Sequence, residues 1–184
     1  MLLSALALLP LPAGAQQESP RAEFYVGYGY LRSDFGDRHG SLVGGGMFSA
    51  AYYPLKRLGM VLESSTHHGT IRGANIDTTL VLFGPRMYFL RSRLVEVFGH
   101  LLSGFHYAQV GLPGLGVAGD DDSGFALAAG FGFNVPLRGR FALRVLQVDY
   151  VTQDVDLPAR VGKIDQLADN FRLSAGLVLN WGAR

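Results

Sequence analysis

The clearest pattern in this chain is an alternation of bulky and small side chains near its C-terminus. One set of alternate positions is apolar: Phe171, Leu173, Ala175, Leu177, Leu179 and Trp181. The positions between them are mostly small or polar: Arg172, Ser174, Gly176, Val178 and Asn180. A period of two is typical of a β-strand whose two faces meet different surroundings. The stretch therefore predicts a strand with one lipid-compatible face.

The same alternation recurs upstream and predicts eight strands in all. It is regular from Phe24 to Leu31 and from Gly124 to Asn134, where bulky residues alternate with Gly, Ala and other residues. Further strands are predicted at Leu42 to Tyr53, Gly59 to His67, Asp77 to Leu90, Val95 to Gln109, Arg140 to Thr152 and Ala168 to Gly182. An even number of strands is what a membrane barrel with both termini on the periplasmic side requires.

The predicted connections alternate between short and long. The short ones are basic and turn-like, at Pro54 to Gly59, Leu90 to Arg93 and Pro136 to Arg140. The long ones are rich in Gly and Asp, at Arg32 to Ser41, His68 to Ile76, Val110 to Ser123 and Gln153 to Leu167. Short periplasmic turns and longer outer loops are a feature of outer-membrane barrels. We expect an all-β fold, an eight-stranded antiparallel up-and-down transmembrane β-barrel.

The N-terminus predicts export. Leu2 to Leu11 is an apolar run, and it is followed by the small residues Ala13, Gly14 and Ala15. This layout is typical of a signal peptide with cleavage after Ala15, and the run is shorter than the roughly 20 residues of a membrane helix. We therefore predict a signal peptide over residues 1–15 and a barrel domain over residues 16–184. The cell outer membrane is the expected location.

Composition narrows the class of protein further. There are no cysteines, so a disulfide framework cannot hold the exported chain. The formal charge of +1 comes with no basic stripe, which argues against a nucleic-acid partner. The chain is 48% hydrophobic, yet after the leader no apolar stretch approaches 18 residues, so helical membrane spans are excluded. Lipid-facing strands account for both observations.

If bulky residues face lipid, the opposite parity directs polar side chains into the barrel. The predicted lumen residues on regular strands are Glu63, Arg86, Tyr88, His100, His106, Asn134 and Arg172. In strand seven, Arg144 differs in parity from Gln147 and Asp149. A β-bulge near Val145 and Leu146 would turn all three inward and leave Leu146, Val148 and Tyr150 outside. Eight strands leave an interior that side chains can fill, so we expect a packed polar network.

Several groups suggest chemistry, and each has a simpler structural explanation. Glu63, His100 and Asp149 fit the roles of acid, base and orienter, but a filled lumen admits no substrate. His67 and His68 point to opposite faces of a strand and cannot share a metal ion, so we interpret them and His39 as solvated loop residues. Residues 120–124 lack the alternating ligands of a calcium loop, and residues 44–46 lack the Lys and helix of a phosphate loop. No cofactor, metal or catalytic residue is predicted.

The last strand also carries a family resemblance. Ser174, Gly176, Leu179 and Trp181 follow the pattern of the C-terminal β-signal of outer-membrane barrels. Together with Tyr52-Tyr53-Pro54, Gly84-Pro85-Arg86, Phe98-Gly99-His100 and Gln147-Val148-Asp149-Tyr150, the mature chain resembles the OmpA-like family of eight-stranded outer-membrane barrels. The resemblance implies a mostly closed membrane barrel used for envelope stability, adhesion or narrow permeation. It implies outer-membrane lipid, lipopolysaccharide and the barrel-assembly machinery as partners.

Three functions are compatible with the sequence. The first is a non-enzymatic barrel with a lumen filled by its own polar network. The second is a lipid A deacylase or acyltransferase; a deacylase needs a lipid-facing Ser with His and an acid at the outer rim, and a His-x-Ser sequence occurs at His39-Gly40-Ser41. The third is a soluble lipocalin-like barrel, which requires the bulky residues to line the cavity.

Overall fold

The structure, a computed structural model, describes residues 20–35, 38–71, 74–111, 121–155 and 166–182. The predicted signal peptide, residue Asp120 and most of the predicted loops Val110 to Ser123 and Gln153 to Leu167 lie outside this range. The strands are β1 (Ala22–Phe35), β2 (Arg38–Tyr52), β3 (Leu58–Ile71), β4 (Ala74–Arg91), β5 (Glu96–Gly111), β6 (Asp121–Pro136), β7 (Phe141–Val155) and β8 (Gln166–Trp181).

The eight strands of the described chain form one closed barrel. Each strand pairs antiparallel with the next, and β8 closes the barrel by pairing with β1 from Ala22↔Trp181 to Asp34↔Asp169. The predicted fold class and strand order are confirmed. Within the described part of the chain, no helix has the length and hydropathy of a membrane span.

The strands extend further toward the loop side than the sequence pattern indicates. The predicted loops Arg32 to Ser41 and His68 to Ile76 are wrong over most of their length, because β1 and β2 pair up to Phe35↔Arg38 and β3 and β4 up to Ile71↔Ala74. Alternation is the signal of one apolar face. Where a strand extends beyond the apolar outer band neither face must be apolar, yet backbone pairing continues. The short turns overlap the predicted ones, but the middle turn lies at 92–95, two residues further along the chain than predicted.

The two faces of the barrel carry opposite kinds of side chain. Large apolar residues point outward on every strand, including Val26, Phe48, Leu62, Leu101 and Leu177. Between the turns and the loop-side ends, no outward-facing side chain of the described strands is charged. Charged and polar side chains are buried inside instead. This is the reverse of a soluble lipocalin-like barrel, so that alternative is wrong.

The bulge predicted in strand seven is present in β7. Against β6, Phe133 pairs with Leu146 and Asn134 pairs with Arg144, which leaves Val145 as the extra residue. The pairing of β7 with β8 shifts between Arg144 and Gln147 as well. The extra residue turns Arg144 inward together with Gln147 and Asp149, while Val145, Leu146 and Tyr150 are exposed.

Candidate functional site

The barrel interior holds a network of buried charges in the half nearer the turns. Its first centre is Glu23, the second residue of β1. Oε1 of Glu23 accepts hydrogen bonds from Arg86 Nη1 at 2.9 Å and Arg144 Nη2 at 2.6 Å. Oε2 accepts from the hydroxyls of Tyr88 at 2.5 Å and Tyr53 at 3.2 Å. One carboxylate thus joins side chains from β1, β4, β7 and the end of β2.

The second centre is Arg172 on β8. Its guanidinium donates to Asp149 Oδ2 from Nε at 2.9 Å and from Nη2 at 2.6 Å, and to Ser65 Oγ from Nη1 at 3.0 Å. It also forms an ion pair with Glu63. Asp149 lies 2.8 Å from His100 Nε2 through its other oxygen. All of these groups are fully buried, so pairing is what makes the charges tolerable.

Arg144 and Gln147 connect the two centres. Arg144 donates to Asn134 Oδ1 at 3.0 Å and to Gln147 Oε1 at 2.8 Å. Gln147 in turn donates to Asp149 Oδ2 at 2.9 Å and contacts Glu63 Oε2 at 3.4 Å. The network contains three carboxylates (Glu23, Glu63, Asp149) and three guanidinium groups (Arg86, Arg144, Arg172), so its formal charges cancel when His100 is neutral.

Aromatic rings pack against these cations and fill the remaining width of the lumen. Arg86 and Arg144 lie 4.6 Å and 4.5 Å from the centroid of the Phe98 ring. At the turn end, Arg91 stacks 3.8 Å above the Tyr88 ring and 5.0 Å from the Tyr53 ring. Burial raises the pKa of Tyr53, which follows β2, so its hydroxyl remains a neutral donor to Glu23. Cation–π stacking suits desolvated guanidinium groups.

The loop-side half of the interior holds both apolar and polar side chains, with Gln153 and Asn170 among the polar ones. Its fully buried side chains include Leu31, Met47, Leu80, Leu102 and Val151. His67 and His106 are buried among the strands at this level. The expectation that His67 is a solvated loop residue is wrong, because β3 continues past it and its parity is inward.

Neighbouring His68 points outward, exposed, and contacts Asp77 at 2.5 Å. The two adjacent histidines therefore face opposite sides, as strand geometry requires. In the described ranges, no group of three or more His, Asp or Glu side chains is arranged to hold a metal ion. The side chains of His39 and of the acidic stretch at 120–122 lie outside what the structure describes.

The structure places all nine predicted network residues inside the barrel. Each of them is buried and has a hydrogen bond or ion pair within the network: Glu63, Arg86, Tyr88, His100, Asn134, Arg144, Gln147, Asp149 and Arg172. The alternation pattern does not indicate three further members of the network, Glu23, Tyr53 and Ser65. Glu23 shares the parity of Tyr25 and Gly27 and precedes the first bulky residue of β1, so extending that strand by one residue would have found it.

The acid, base and orienter arrangement does not form. His100 and Asp149 are in contact, but Asp149 and Glu63 are both paired with Arg172. Both carboxylates are occupied by the guanidinium of Arg172, and both are fully buried. The arrangement therefore serves to hold opposite walls of the barrel together.

The four residues of the predicted β-signal lie on β8, at the seam that closes the barrel. Ser174 is buried, whereas Trp181 is exposed on the outside. Gly176 pairs with Gly27 of β1, and a Cβ atom at position 176 would collide with the backbone of Val26. Leu179 pairs with Phe24. The small residue at 176 thus permits the close approach of β1 and β8.

Comparison with known proteins shows which solved structures share this architecture. No protein-family profile and no curated protein sequence matches the chain. Solved structures do match. Neisserial surface protein A superimposes with a TM-score of 0.69 at 12% identity, over 87% of this chain and 97% of that protein. The fold is that of the OmpA-like outer-membrane β-barrels.

Two further barrels support this assignment of the fold. Ail, the attachment invasion locus protein of Yersinia pestis, matches with a TM-score of 0.57 at 17% identity, over 88% of this chain and 99% of Ail. OprG of Pseudomonas aeruginosa matches with a TM-score of 0.54 at 14% identity, over 90% of this chain and 98% of OprG. The outer-membrane barrel fold thus accounts for nearly the whole described chain.

Proposed function

We propose that this chain is a non-enzymatic integral protein of the outer membrane, with a lumen closed by its own ionic network. The observation that carries the proposal is the reversed barrel: uncharged apolar side chains on the outside, and six paired charges within. An apolar outer band is stable in lipid and not in water. Export through the predicted signal peptide and insertion by the assembly machinery complete this proposal.

Because the lumen is closed, we infer that the function of the chain resides on the surface of the barrel. Glu23, Arg144 and Phe98 occupy the cross-section at one level, and Glu63, Asp149 and Arg172 at the next. A pathway for solutes would require these ion pairs to separate. We therefore assign the chain to envelope structure and surface contact, with lipopolysaccharide as its neighbour in the outer leaflet. Ail, a similar barrel, is by name an attachment protein.

Conductance in a planar lipid bilayer tests the closed lumen. The mature chain, refolded and inserted, is expected to show no resolvable single-channel steps in concentrated KCl. The triple variant Phe98→Ala/Arg144→Ala/Arg172→Ala removes side chains from both levels and is expected to conduct. Heat-modifiable migration on a gel shows that each protein is folded. Porin-like steps from the unaltered chain would contradict the proposal.

The enzymatic alternative is tested separately. The purified barrel is incubated with lipopolysaccharide and phospholipid, and lipid A is examined by mass spectrometry. We expect no acyl chain to be released or transferred. A mass change that depends on the folded barrel would overturn the non-enzymatic assignment while leaving the membrane fold intact.

A further inference from the structure

The turn end of the barrel carries a set of exposed cations. These are Arg21, Lys56, Arg57, Arg93, Arg138 and Arg140. The described residues of the same end, 20–22, 53–58, 91–95, 137–141 and 180–182, contain no Asp or Glu. The nearest acids, Glu23 and Glu96, are buried in the lumen. Among the described residues, the exposed charges of this end, which we call the basic rim, are therefore all positive.

Each of the three turns also presents a leucine to the outside. Leu55 is 59% exposed, Leu94 is 82% exposed and Leu137 is 49% exposed. Every one of them lies next to an exposed cation in sequence: Lys56, Arg93 and Arg138. Exposed leucines beside Lys and Arg are typical of surfaces that lie at a lipid interface, where the apolar group contacts acyl chains and the cations contact headgroups.

Backbone hydrogen bonds fix the turns that carry these side chains. Leu55 N donates to Leu58 O at 3.3 Å, and Leu137 N donates to Phe141 O at 2.8 Å. In the middle turn, Ser92 Oγ accepts from Val95 N at 3.0 Å and donates to Val95 O at 2.7 Å. The leucines and cations are thus held at defined positions around the end of the barrel.

Aromatic side chains show where the basic rim lies relative to lipid. Trp181 and Tyr52 are exposed on the outer wall and flank Ala22 on neighbouring strands. Trp and Tyr at the ends of membrane barrels lie at the level of the headgroups. Arg140 stacks on the Trp181 ring at 4.8 Å, which holds its guanidinium at that level.

We propose that the basic rim binds the phosphate groups of anionic phospholipids in the leaflet that faces the turns. This inference rests on the proposed membrane insertion. Guanidinium groups donate two parallel hydrogen bonds to a phosphate, and cations next to an anionic leaflet are attracted to its surface. The turn leucines contact the adjoining acyl chains. Selective contact with anionic lipid would fix the depth and orientation of the barrel.

The single tryptophan of the chain provides the assay, because Trp181 lies on the rim itself. The mature protein is inserted into vesicles that contain brominated phosphatidylglycerol or brominated phosphatidylcholine, and quenching of Trp181 reports the lipid beside it. We expect the anionic lipid to bind next to Trp181 roughly fivefold more strongly than the zwitterionic lipid. The preference should fall in high salt, because exposed charges are screened.

Matched variants identify the groups responsible. Arg138→Gln/Arg140→Gln is expected to reduce the anionic preference to about twofold or less. Arg32→Gln, an exposed arginine near the loop end of β1, is expected to leave the preference unchanged. Comparing the two brominated lipids within each variant removes any direct effect of Arg140 on the emission of Trp181.

Each outcome of the assay decides the proposal. Equal quenching by both lipids in the unaltered, inserted protein would overturn it, while absence of quenching by either lipid would overturn the membrane insertion on which it rests. Inorganic phosphate is added at constant ionic strength in a further arm. Loss of the preference there would show a site for free phosphate, and would also overturn the lipid proposal.

Discussion

Glu23 illustrates how much one side chain contributes to this barrel. It accepts four hydrogen bonds from four different side chains, two of them guanidinium groups of the opposite walls. Without its charge, the buried guanidinium groups of Arg86 and Arg144 would lose the carboxylate that they share. Removal of one partner from a buried ion pair costs more than the pair contributes, since the remaining charge is left uncompensated.

We therefore predict that Glu23→Gln destabilises the barrel by about 3 kcal/mol or more. The measurement is urea unfolding in lipid vesicles. Asp77→Asn is the control, because it also replaces a carboxylate with an amide but affects only an exposed pair with His68. That change should cost about 1 kcal/mol at most. Equal losses from the two variants would show that Glu23 is not a centre of stability.

Gly130 leaves room for the side chain of Asp149 inside the barrel. A Cβ atom at this position would meet Asp149 Oδ1 and the backbone oxygen of Val148, so the absence of a side chain lets Asp149 reach His100. Gly46, also within a strand, has open space where its Cβ would lie. We predict that Gly130→Ala costs about 1–3 kcal/mol of unfolding free energy. Gly46→Ala should be neutral or slightly stabilising, and unfolding curves of the two variants that coincide would refute this interpretation.

The direction in which the side chains of β7 point depends on a single extra residue. Without Val145, the part of β7 before the bulge would change parity, so that Ala142 and Arg144 would face lipid while Phe141 and Leu143 would enter the lumen. An Arg in the middle of the lipid costs about 2–4 kcal/mol in a membrane barrel, and the network would lose the link between its two centres as well.

Deletion of Val145 is accordingly expected to abolish or strongly reduce folding. Val145→Ala keeps the residue count and the bulge, and should fold with nearly the yield of the unaltered chain. The fraction of protein with heat-modifiable migration after refolding into detergent measures both variants. Normal folding of the deletion variant would mean that the bulge does not set the parity of this strand.

The strands also show what the sequence pattern reveals and what it does not. The alternation of bulky and small or polar residues located every strand within the apolar outer band. The conflict of parity between Arg144 and Gln147 located the bulge. The strand extensions beyond that band, such as residues 68–71 with the sequence His-Gly-Thr-Ile, lack the alternation of bulky apolar with small or polar residues, so the pattern does not indicate them. Hydrogen-bond partners inside the lumen depend on the stagger of eight strands, and so the meeting of Glu23 with Arg144, 121 residues apart, could not be read from spacing.

For the molecule as a whole, the apolar outer band makes a prediction about depth. Leu101 lies near the middle of β5 and is 59% exposed, whereas Leu94 lies on a turn and is 82% exposed. If the barrel spans a bilayer, the same change has different consequences at the two positions. Leu101→Arg should cost about 2–4 kcal/mol of folding free energy in lipid vesicles, and Leu94→Arg about 1 kcal/mol or less. If the barrel were in water, neither arginine would lie in hydrocarbon. Both substitutions would then be tolerated, and the one at the more exposed Leu94 would be tolerated at least as well as the one at Leu101. Urea titration of both variants in vesicles of the same lipid measures the difference, and equal costs at the two depths would be incompatible with a membrane-spanning barrel.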